Sequence, residues 1–195
     1  EGALAAEAIR FHRAHGVRPA GEDRRRIHLL LIDVQKDFCF PEGSLYVGGR
    51  SGSGAVDDSA RIASFLYRNL DVVTETTVTL DTHFPHQIFF PSFWVDASGA
   101  VPTPHREVRV DDIRSGRLVP NPALAAWIAG GDLGWIRKQV EFYAGSLERA
   151  GKYTLYLWPP HCLIGGEGHT LAGAVQEARL FHALARGAEA RVEIK

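Results

Sequence analysis

The sequence predicts an α/β protein built on a mostly parallel sheet, and three observations lead there. Residues 27–32, IHLLLI, form a short, nearly continuous apolar run of the kind buried on both faces of a parallel sheet. Residues 72–80, VVTETTVTL, are rich in β-branched residues and read as a second strand, and residues 153–157 and 191–195 read as a third and a fourth. Between these runs lie stretches with helical spacing of apolar residues. Strand and helix therefore alternate, the pattern of a helix-covered sheet joined by right-handed crossovers.

Residues 1–15, with Ala3, Leu4, Ala8, Ile9 and Phe11 at helical intervals, predict a moderately amphipathic helix. It leads through a linker over residues 16–26 into the first strand. The segment PEGSLYVGGRSGSGAVDD reads as a glycine-rich surface loop; a phosphate loop would need a lysine and a strand-to-helix setting. Asp57, Asp58 and Ser59 suit an N-cap and predict a helix from there to about residue 67. Residues 95–122 carry charge and few core residues, which predicts a long irregular segment acting as a lid or interface arm. Asn121 and Pro122 open a helical stretch to residue 128, and a further helix covers residues 134–149. Leu171, Val175, Ala178, Phe181 and Leu184 place a last helix over residues 170–186, with Gly187 as its C-cap.

With 195 residues, 45% hydrophobic and 23% charged, the chain suits one soluble domain, 1–195, with a substantial core. A net charge of -1 gives no electrostatic footprint for nucleic acid or an anionic membrane. No apolar run approaches the ~20 residues of a membrane span, and the N-terminus lacks a signal-peptide pattern, so the expectation is a cytoplasmic protein. Cys39 and Cys162 do not resemble a secreted disulfide framework and read as reduced thiols. The sequence begins at Glu1, contains no Met and stops at Lys195 directly after RVEIK, so it reads as a piece of a longer polypeptide.

The chemistry is expected where the strands end. Asp33 follows the first strand and Asp81 the second, and ligands of open α/β sheets bind at the carboxyl ends of the strands. Capping of a turn or helix is the alternative for Asp33. Asp81-x-His83 puts an acid and an imidazole two apart, and His161 lies at the end of the next strand. Two histidines and an aspartate can hold a catalytic zinc or iron while leaving positions open. His86 stays open between a fourth ligand, a partner of the ligands and a solvated loop residue. His12, His15, His28, His105, His169 and His182 read as surface or core histidines.

The motifs IDVQKDFCFPEGSLYVGG, TLDTHFPHQIFFPSFW and LWPPHCLIGGEGHTL, in that order over residues 27–175, resemble the nicotinamidase group of the isochorismatase-like cysteine hydrolases. The resemblance implies a Rossmann-like three-layer α/β fold and a triad of Asp, Lys and Cys beside a metal. It also implies hydrolysis of nicotinamide to nicotinate and ammonia. Position by position, Asp33 matches the triad acid, Lys195 the triad lysine, and Asp81, His83 and His161 the metal ligands. Phe38 and Trp158 match the aromatic walls around the substrate ring. The implied cofactor is a divalent metal, zinc first, with iron or manganese as alternatives. The expected partners are a small carboxamide, further copies of the chain, and a companion chain for any missing part of the site.

Two departures from the family pattern matter. The segment between His83 and His161 is longer than is usual in nicotinamidases. The family nucleophile lies on the strand after the lysine strand, so it is expected beyond Lys195. Neither Cys39 nor Cys162 occupies a strand-to-helix turn where backbone amides form an oxyanion hole, so neither is expected to replace it. The alternatives are an isochorismatase-like hydrolase with another small substrate and a non-catalytic metal-binding member of the fold.

Overall fold

The computed structural model describes residues 2–195. In chain order the elements are α1 (Gly2–His15), β1 (His28–Ile32), α2 (Lys36–Cys39), α3 (Gly54–Arg68), β2 (Glu75–Leu80), β3 (Trp94–Asp96) and β4 (Arg106–Val108). There follow α4 (Val110–Arg114), β5 (Leu118–Pro120), α5 (Ala125–Ala129), α6 (Leu133–Ala150), β6 (Leu155–Leu157), α7 (Gly173–Arg186) and β7 (Ala190–Ile194). They gather into two compact units: the chain up to Thr82 together with His161–Lys195, and His83–Pro160.

In the first unit β1, β2 and β7 form a parallel sheet with β2 in the middle. The β-branched run Thr76–Thr79 of β2 suits this place, since such side chains pack well on a pleated surface, and Thr76, Thr77 and Val78 are buried. Leu31 and Val78 meet Ala63 and Leu66 of α3 and Val175 and Ala178 of α7 in one core. Leu66 is fully buried, so Leu66→Ala should cost ~2–5 kcal/mol. Ala8 of α1 packs with Phe181 and Ala185 of α7 in a smaller cluster. Gly187 closes α7 with φ +59, the left-handed step that lets the chain turn into β7.

Two expectations about this unit need correction. The strand over residues 27–32 is not buried on both faces: Leu30 is 50% and Ile32 61% exposed on one face of β1, while Leu31 is buried on the other. An unbroken apolar run reports hydrophobicity but carries no period from which an exposed face could be read. The helix expected from Asp57 begins earlier, at Gly54. The Asp57 N–H bonds the Ser53 carbonyl at 2.9 Å as part of the first turn, where a carboxylate favours the helix dipole.

The second unit overturns the prediction of an irregular arm. β3 pairs antiparallel with β5, and β4 with β6. Val95, Val108, Ile113 and Leu118 are buried with Trp94, Ile136, Val140 and Leu157. The run over residues 153–157, expected in the parallel sheet, shortens to β6 and serves this antiparallel pair instead. Strands of three residues are too short for alternation to register. Asp132 caps α6 by accepting the Trp135 N–H at 2.8 Å. Among the described residues no helix is long and apolar enough to cross a membrane.

Candidate functional site

The register of the parallel sheet sets the site. Ile32 pairs with Thr79 and Leu80 with Ile194, so the residues that follow the strands, Asp33, Asp81 and Lys195, emerge at one rim. Hydrogen bonding continues past the strand ends: the Lys195 N–H donates to the Leu80 carbonyl at 3.1 Å, and the Thr82 N–H to the Lys195 carbonyl at 3.1 Å.

Asp33 does not cap a helix. Its backbone is left-handed, φ +57, a conformation that costs ~1–3 kcal/mol in a residue with a Cβ and clusters at functional sites. Thr79 holds it there, accepting the Asp33 N–H at 3.1 Å and donating its hydroxyl to Asp33 Oδ1 at 2.8 Å. The other oxygen, Oδ2, lies 2.9 Å from Lys195 Nζ, which is also 3.6 Å from Asp81 Oδ1. The hydrogen bond to Asp33 raises the Lys195 ammonium above the ordinary lysine value, against partial desolvation, and the charges of Asp33 and Asp81 add to this. Lys195 is therefore a cation at any physiological pH.

Gln35 fixes the second strand end. Its side-chain oxygen accepts the Asp81 N–H at 2.8 Å, and its amide donates to the carbonyls of Asp81 at 2.9 Å and His169 at 3.0 Å. The Asp81 Oδ2 oxygen lies 3.4 Å from His161 Nε2, near the ~3.4 Å between two ligands bound ~2.1 Å from one tetrahedral ion. One donor atom each from Asp81, His83 and His161 lie within 4.8 Å of one another. A carboxylate with two imidazoles suits zinc, iron or manganese, so the residues fit the metal that the motifs imply. His86 is exposed and lies outside this grouping.

The Phe38 ring lies 5.6 Å from the His161 ring. Phe38 and Asp33 also line one cavity of about 520 Å³ with Val34, Ser59 and Ile62. Trp158 belongs to the second unit, where its ring stands 4.5 Å from Tyr156 and its N–H bonds the Phe89 carbonyl at 2.9 Å. Both thiols are buried and free of disulfides. Burial pushes the Cys162 thiol up to about 12, helped by the carboxylates of Asp37, Asp81 and Asp33 and opposed by Lys195. Burial also raises Cys39, against a hydrogen bond with Ser59. Both shifts disfavour the thiolate, which is the reactive form.

No family model matches the sequence, and no curated protein matches it. Solved structures do. The yeast nicotinamidase bound to the inhibitor nicotinaldehyde is similar at 17% identity over 86% of this chain and 56% of its own, with a TM-score of 0.49. It is one of several nicotinamidase structures that this chain resembles. An Acinetobacter baumanii nicotinamidase and pyrazinamidase shares 16% identity over 89% of this chain and 53% of its own, TM-score 0.44. The nicotinamidase/pyrazinamidase of Bacillus subtilis shares 16% over 88% and 56%, TM-score 0.43. The chain thus spans a little over half the length of each of these structures.

Thr79 and Gln35 bond the strand-end residues Asp33 and Asp81, Asp37 accepts the Cys162 N–H, and none of the three stands out in the sequence. The available signal was a run of polar residues directly after an apolar strand. Gln35 and Asp37 follow Asp33 closely, yet both are buried.

Proposed function

We propose that this chain carries the acid, the ammonium and the metal ligands of a metal-dependent cysteine amidohydrolase that converts nicotinamide to nicotinate and ammonia. The observation that carries the reading is Lys195 Nζ between the two strand-end carboxylates, 2.9 Å from Asp33 and 3.6 Å from Asp81. Those are the positions to which the motif resemblance assigns the triad and the metal.

In this reading the nucleophile is neither Cys39 nor Cys162 but a cysteine outside these residues. Asp33 takes the thiol proton as sulfur attacks the carboxamide carbon, and returns it to nitrogen as the C–N bond breaks and ammonia leaves. Water then attacks the thioester and gives its proton to Asp33, which passes it to the departing sulfur. Lys195 stays cationic and stabilises negative charge on the carboxylate and the thiolate. Asp81, His83 and His161 would hold a divalent ion, zinc first, which when bound supplies a Lewis-acid anchor for the ring nitrogen. Phe38 and Trp158 are assigned to the pyridine ring.

The test is metal analysis together with ammonia release from nicotinamide by the natural polypeptide that contains these residues. Stoichiometric divalent metal with ammonia release is expected; neither metal nor ammonia rejects the reading. The buried, weakly acidic thiols favour one second reading, a non-catalytic metal-binding protein, and stoichiometric metal without ammonia would select it.

A further inference from the structure

Asp37 lies on α2, a short step along the chain from Asp33, and its carboxylate is buried. Oδ2 accepts the Cys162 N–H at 2.7 Å, and Oδ1 accepts the Ser44 N–H at 2.9 Å. Hydrogen bonds to a carboxylate are stronger than neutral ones, which suits them to holding backbone in a fixed place. The backbone held is unusual. Cys162 is left-handed, φ +46, a state that a residue with a Cβ keeps only where its surroundings impose it. Cys162 directly follows His161, whose Nε2 faces Asp81 Oδ2 at 3.4 Å. Position 168 is shaped around the same carboxylate, because a Cβ on Gly168 would fall 2.0 Å from Asp37 Oδ2.

We infer that Asp37 is a positioning residue for the metal-ligand set. Its buried carboxylate clamps the left-handed turn at Cys162 and thereby aims the His161 imidazole at Asp81. The chemistry this serves rests on the proposed function, since partners that orient a ligand tune metal affinity without touching the ion.

The test uses Asp37→Asn and Gly168→Ala in the whole chain, with Glu167→Gln as control. An asparagine keeps the shape but turns an NH2 toward one of the two N–H donors, so one of the bonds must fail. Gly168→Ala displaces the carboxylate while leaving every ligand intact. Glu167 is exposed and paired only at the surface, with Lys36 at 3.0 Å. Two quantities are read: Co²⁺ affinity from visible absorption, and hydrogen exchange at the Cys162 amide in the metal-free chain. Both variants should weaken Co²⁺ binding by ~10–100-fold and speed exchange at Cys162 by about tenfold, with Glu167→Gln unchanged in both. Wild-type Co²⁺ affinity and Cys162 exchange in Asp37→Asn overturn the inference, as does exchange that rises evenly along the chain. Should Asp37→Asn not fold, Gly168→Ala decides by the same criteria. A wild-type chain that binds no Co²⁺ counts against the proposed function, while exchange at Cys162 still judges the clamp.

Discussion

The parallel sheet carries a charged cluster at each end, and the two are built in opposite ways. At the amino end Asp23 accepts the Thr74 hydroxyl at 2.8 Å and the Arg186 guanidinium at 2.5 Å, and both ionic side chains are buried. Arg186 also donates to the Asp71 carbonyl at 2.9 Å. At the carboxyl end Lys195, Asp33 and Asp81 keep 49%, 28% and 18% of their side-chain surface. A buried pair matters chiefly because breaking it strands a charge away from water. A solvent-reachable pair adds little stability. Similar carboxylate and cation chemistry thus holds the fold at one end and, in the proposed function, would carry proton transfer at the other.

The sharpest way to break this comparison is to remove one carboxylate from each end. Asp33→Asn should lower ammonia release by ~10²–10⁴-fold while changing unfolding free energy by less than ~1 kcal/mol, read from an activity assay and urea denaturation of the same sample. Asp23→Ala should do the reverse, costing ~3–5 kcal/mol because Arg186 is left buried and unpaired, with metal occupancy of the folded protein unchanged. His83→Ala should abolish stoichiometric metal; retention of the metal would remove His83 from the ligand set.

The two ends should also differ in the sign of their pH dependence. Burial pushes the Asp23 carboxyl up, but its hydrogen bonds from Thr74 and Arg186 outweigh this and leave it below the ordinary aspartate value. The unfolded chain then binds the extra proton between the folded value and ~3.9, so stability rises with pH there. The contribution is present above ~3.9 and lost as pH falls through the folded value. Wild type should lose stability more steeply than Asp23→Asn on acidification, and parallel slopes would contradict this. Lys195 has the opposite sign: its value is raised, so its small contribution is present below ~10.4 and lost as pH rises through the folded value. The smallest expected effect is at Cys162. Its thiol, held near 12, should resist iodoacetamide at about pH 8 in the folded protein and react on unfolding.

The residues that end strands were legible because a strand ends where its apolar run gives way to Asp33, Asp81 or Lys195, and parallel pairing brings such ends to one rim. The long helices were legible from periodicity, as with α6 and α7. What escaped notice depends on contacts between residues far apart in sequence. Nothing local to Asp37 says that its carboxylate receives an N–H from Cys162, and nothing local to Gln35 says that it brackets Asp81. The exposed Leu30 and Ile32 were misread because they share one face of β1 that is left open, and an unbroken apolar run does not say which face is covered. β3 through β6 were too short for alternation to show.

The most direct measurement is ammonia release from nicotinamide by the natural polypeptide and its Asp33→Asn variant, with metal content determined on the same samples. The expected result is turnover in the wild type and its loss in the variant at unchanged metal occupancy. Turnover that survives Asp33→Asn would contradict a proton-transfer role for the rim of the sheet.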